Sequence, residues 1–111
     1  MTGRHHRWHQ HWTVSLAAQE SRHDSGLVYD WAEGADAGPP PLATIPCCDL
    51  AGGWWVGRLR GGEAGMRAWL ATQPALRDPA SQRRRLLRLA REAGEAYAHA
   101  LRHALRVEVR P

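Results

Sequence analysis

The chain contains no phenylalanine and no lysine, and its only two cysteines, Cys47 and Cys48, are neighbours. Adjacent cysteines cannot staple distant segments, so an internal disulfide framework is excluded. No stretch reaches the roughly 18 to 20 apolar residues that a bilayer span requires, and the beginning lacks a secretory apolar run. Cytoplasmic residence is therefore the expectation. Without phenylalanine, and with alanine supplying much of the apolar count, the leucines and six tryptophans must carry most of any core. Tryptophans left exposed would instead favour a partner.

What is present describes a small globular chain. Its 111 residues fit one domain, 1–111, and 43% hydrophobic with 23% charged residues argues against a disordered tail. All fifteen basic residues are arginine and the net charge is +4. That balance suits nucleic acid, anionic lipid or an acidic protein without choosing among them.

The first half reads as strands. Trp12, Val14 and Leu16 share one parity with Trp8, and His9, His11, Thr13 and Ser15 take the other, which predicts a half-buried strand over residues 12 to 18. On that reading His9 and His11 project from one side. "ESRHDSG" reads as a turn before a second strand at "LVYDW". "AEGADAGPPP" breaks regular structure, making 34–42 a Gly/Pro-rich connector. A short edge strand is expected around Ala43 to Ile45, limited by Pro46, which cannot donate to a central ladder. In "WWVGRLR", Trp54, Val56 and Arg58 alternate with Trp55, Gly57 and Leu59, so neither face is cleanly polar. Such a strand suits a sheet with one face under a helix and apolar surface left for a partner.

The second half reads as helical. Residues 63 to 72 predict a short helix bearing Met66, Trp69 and Leu70 that ends before Pro74. A longer one, of about 25 residues, starts with Asp78 as N-cap and Pro79 at the first helical position. Leu86, Leu89, Ala90, Ala93, Tyr97, Ala100, Leu101 and Ala104 form its apolar face, with Arg88, Arg91, Glu92, Glu95, His99, Arg102, His103 and Arg106 opposite. The fold class expected is α+β: a small antiparallel sheet of three or four strands packed against two C-terminal helices, the second long and amphipathic.

Three constellations carry candidate chemistry. "RHHRWHQHW" opens the chain with clustered imidazoles, and His5, His9, His11 and His23, or the soft thiols of Cys47 and Cys48, are candidate ligands for a transition metal. Their spacing matches no standard structural zinc pattern, and His6 adds a further imidazole to the run. Glu95, His99 and His103 share a helix face, but "EAGEAYAH" is not the HExxH hydrolase motif. Arg83, Arg84, Arg85, Arg88 and Arg91 concentrate positive charge near a helix start, against the macrodipole, as candidate contacts for nucleic acid or an acidic protein.

No nucleophile elbow, phosphate loop or standard nucleic-acid motif surrounds these residues. The function expected is therefore a small basic accessory protein without chemistry of its own, docking a larger protein, its own copy or a peptide. Trp54, Trp55, Arg58 and Arg60 form one candidate protein-binding surface; Trp8, His9, His11 and Trp12 form another. Nucleic-acid binding through the arginine cluster and metal binding through histidine or cysteine are the alternatives.

Overall fold

The computed structural model describes residues 10–33, 46–50 and 53–109, with side chains over 10–33 and 55–104. Strands β1 (Trp12–Ser15), β2 (Glu20–His23), β3 (Val28–Glu33) and β5 (Gly53–Leu59) form an antiparallel sheet, which β4 (Pro46–Leu50) extends at one edge. The order is β1-β2-β3-β5-β4. Helix α1 (Gly62–Ala71) packs on β5, and α2 (Pro79–Val109) crosses β1, β2 and β4. The fold is α+β, an antiparallel sheet with two C-terminal helices.

Most expected elements form where their pattern places them. The segment "ESRHDSG" is a correction, because Glu20 to His23 pairs with β1 and β3 as a central strand. Its alternation was hidden: Ser21 faces the core while Glu20 and Arg22 face outward, and a buried serine looks like a turn former in sequence. The turns lie on either side, at 16–19 and 24–26. The edge strand begins at Pro46, where an edge position tolerates the missing donor. Ala43 to Ile45, the connector 34–42 and the histidine-rich start through His9 lie outside the described residues.

Helix α2 is 31 residues long, beyond the expected 25 or so. Its start is as expected: the Ser81 amide and hydroxyl both donate to the Asp78 carboxylate, at 3.1 and 2.7 Å, and Pro79 follows the cap. These bonds hold the Asp78 carboxyl below its usual range. Helix α1 enters through Gly61, whose φ of 84° places it in the left-handed region that suits glycine.

The core lies between the sheet and α2. Trp12, Leu27, Tyr29, Trp31, Trp55, Leu59, Trp69, Leu86, Leu89 and Tyr97 are buried, with alanines 90, 93, 96 and 98 letting the helix backbone approach. Trp31 stacks on Tyr97 with ring centroids 5.1 Å apart, and Trp55 meets Tyr97 edge-on at 5.3 Å. Three indoles find polar partners: Trp12 donates to Glu92 at 3.0 Å, Trp31 to Ser21 at 2.9 Å and Trp69 to Ser25 at 3.0 Å. Tryptophan thus supplies the bulk that phenylalanine would otherwise give, while the buried Trp55 indole N–H has no hydrogen-bond partner among the described residues.

Candidate functional site

The structure buries one tryptophan of each expected protein-binding surface. Trp12 and Trp55 are core residues, 7% and 9% exposed, so neither presents a contact surface. Arg60 is engaged by two carboxylates, donating to Asp30 at 3.0 Å and to Glu20 at 2.7 Å across three strands' ends. Hydrogen bonds from Arg60 first, then Arg22, keep the Glu20 carboxyl below its ordinary range against an opposing effect of burial. Arg58 sits on the outer face of β5, half-buried and with an interaction of its own. Trp54 lies on β5, Trp8 and His9 lie outside the described residues, and His11 stands exposed just ahead of β1.

The hairpin of β1 and β2 brings two histidines together that the sequence separates. His11 and His23 have ring centroids 6.1 Å apart, and Trp12 lies edge-on to His23 at 4.8 Å. His11 Nδ1 lies 3.2 Å from Asp24. The Ser25 amide donates to His23 Nδ1 at 3.1 Å, and the Ser25 hydroxyl lies 2.7 Å from the same nitrogen. Because Ser25 Oγ accepts from Trp69, its own proton is free to point at His23, which makes that imidazole nitrogen an acceptor. Burial, and then the Arg85 guanidinium, hold the His23 pKa below its ordinary value. Among the described residues no group of three or more His, Cys, Asp or Glu side chains is placed to hold a metal ion. Cys47 and Cys48 fall on β4, and His5 lies outside the described residues. Glu95, His99 and His103 stand exposed on α2.

The described arginines at the start of α2 are mostly exposed. Arg83, Arg84, Arg88 and Arg91 are exposed and Arg85 is half-buried. Ion pairs among the described residues engage His11, Arg22, Arg60 and Arg67, but none of these five arginines. Arg84 alone has a polar partner here, the Ser81 hydroxyl at 3.2 Å. The first turn carries no acidic side chain. Arg83, Arg84 and Arg85 fan around the helix, as contiguous residues must. Arg84, Arg88, Arg91 and the exposed Arg102, however, fall within about 60° of one another at 3.6 residues per turn, opposite the buried Leu86, Leu89, Ala93 and Tyr97. Positive charge therefore lines the outer ridge of α2, interrupted by Glu95.

A hollow lies on the other side of α2, on the face that carries Leu86, with Arg83 at its edge. Met66 and Leu70 of α1 face Pro79, Gln82, Arg83 and Leu86 at the start of α2 and line this open hollow of about 140 Å³. Each pair, Met66 with Leu70 and Gln82 with Leu86, has four-residue spacing, a signal in sequence only that each helix has a face. Gln82 also donates to the Leu76 carbonyl at 3.0 Å, tying α2 to the inter-helix turn.

Comparison with known protein families, with curated proteins and with solved structures yields no match. No helix among the described residues is long and apolar enough to cross a membrane.

Proposed function

We propose that this chain is a small basic binding protein, without chemistry of its own, that docks an acidic surface of a larger protein. The contact runs through Arg83, Arg84, Arg88 and Arg91 on α2. One observation carries the reading: these arginines are exposed on one helix, and no carboxylate of the described residues forms an ion pair with them. Arginine at a helix start opposes the macrodipole, so the cluster costs the isolated chain some stability and is suited to an anionic partner. The other candidate surfaces contribute less, because Trp12 and Trp55 are buried and Arg60 is already paired.

The straight alignment of Arg84, Arg88 and Arg91 also supports a second reading, contact with the phosphates of a nucleic acid. Equilibrium binding of poly-glutamate and of a mixed-sequence DNA duplex, at about 50 and about 200 mM salt, separates the two. The protein-docking reading expects tighter binding of poly-glutamate, lost in Arg84→Glu/Arg88→Glu. Tighter binding of the duplex with a steep salt dependence transfers the function to nucleic acid. Failure to bind either polymer removes both readings.

A further inference from the structure

The hollow between α1 and the start of α2 is apolar on most of its wall and basic at its rim. Met66, Leu70, Pro79 and Leu86 supply the apolar wall, while Gln82 and Arg83 stand at the α2 side. Met66 and Leu70 are only half-buried, so hydrocarbon is left accessible to a ligand. Arg83 is exposed and has no ion partner among the described residues. Asp78, at the start of α2, accepts from the Ser81 amide and hydroxyl and also attracts the Arg84 guanidinium.

We infer that this hollow receives one large apolar side chain of an acidic peptide segment, a flanking carboxylate of which pairs with Arg83. The inference rests on the acidic-surface reading above and names the segment that the surface must offer. Size supports it: about 140 Å³ is close to the roughly 150 Å³ in which an apolar cavity holds a benzene ring, so one phenyl or leucyl group fills it. Charge complementarity selects the surroundings of that group, since an arginine rim beside an apolar wall favours carboxylates next to the anchor. The arrangement is that of an anchor in a pocket with a polar rim, the usual distribution of energy at a binding surface.

The test uses the full chain and two blocked pentapeptides, one with phenylalanine between two pairs of aspartates and one with alanine at the centre. Titration calorimetry should show the phenylalanine peptide binding about tenfold tighter or more, as expected for removing one aromatic ring from water. In the unmodified protein, the Met66 methyl resonance should shift with the phenylalanine peptide and stay in place with the alanine peptide. Met66→Trp, which fills the hollow, should erase the preference for phenylalanine over alanine; Leu70→Gln should weaken the preference if Met66→Trp fails to fold. Equal binding of the two peptides, or a Met66 methyl that does not respond, overturns the pocket assignment while leaving the arginine reading intact. Phenylacetate bound as tightly as the phenylalanine peptide overturns the peptide as occupant. Binding of neither peptide removes the arginine reading as well.

Discussion

The Trp31 indole donates to the Ser21 hydroxyl at 2.9 Å, and that hydroxyl donates onward to the Ala93 carbonyl at 3.2 Å. One fully buried serine thus links neighbouring strands to the middle of α2. Ser21→Ala would leave the Trp31 N–H buried without this acceptor, at a cost of about 1 to 3 kcal/mol in denaturant unfolding. In a Trp31→Phe background the same serine change should cost less, because the donor is gone as well. Equal costs in both backgrounds would remove the bond from the account.

Gly57 faces Trp31 across the β3–β5 pair, and a Cβ at position 57 would stand 2.5 Å from that ring. The ring is held against Tyr97, so it has no room to retreat. Gly57→Ala should destabilise the chain by about 3 kcal/mol, the upper range for an overpacked core. Trp31→Leu should relieve much of that penalty, so the double variant should be more stable than the two single effects added together.

The Tyr29 hydroxyl is buried without a hydrogen-bond partner among the described residues, and burial pushes its pKa up. Tyr29→Phe removes an unsatisfied polar atom and keeps the ring. Thermal unfolding should show stability unchanged or raised by about 1 kcal/mol. A clear loss would mean that the hydroxyl has a partner in solution.

His23 gives the fold a pH dependence of known sign. Burial, then Arg85, lowers its folded pKa, so below about pH 6.5 the unfolded chain takes up this proton more readily than the folded one. Its contribution is present above the unfolded value and is lost as pH falls through the window down to the folded value. The melting temperature should therefore be lower at about pH 5.5 than at about pH 7.5, and His23→Gln should flatten this part of the profile. An unaltered profile in the variant would assign the slope to other groups.

The start of α2 at Asp78 and Pro79, its periodicity and the Trp12 strand were legible from a local cap and a local apolar repeat, and the strands containing Tyr29 and Trp55 as short apolar runs between turn formers. Strand β2 was not, since its one buried position is Ser21, whose burial depends on acceptor and donor groups 72 and 10 residues away. The candidate site divides in the same way. Arg83 to Arg91 could be named from their clustering alone, but that they lack ion pairs among the described residues depends on where the carboxylates end up. Arg60 illustrates the opposite outcome: in sequence it resembles the others, yet it closes on Glu20 and Asp30, residues 40 and 30 positions distant.

By itself the sequence determined the α+β class, the two helices and the excess of arginine, because local repeat and composition govern these. Only the tertiary structure decided that Trp12 and Trp55 belong to the core, that His11 and His23 meet, and that Met66 and Leu70 face Arg83 across a hollow. The physical reason is that burial and pairing are properties of what surrounds a side chain. Those surroundings are assembled from segments with no local record of one another.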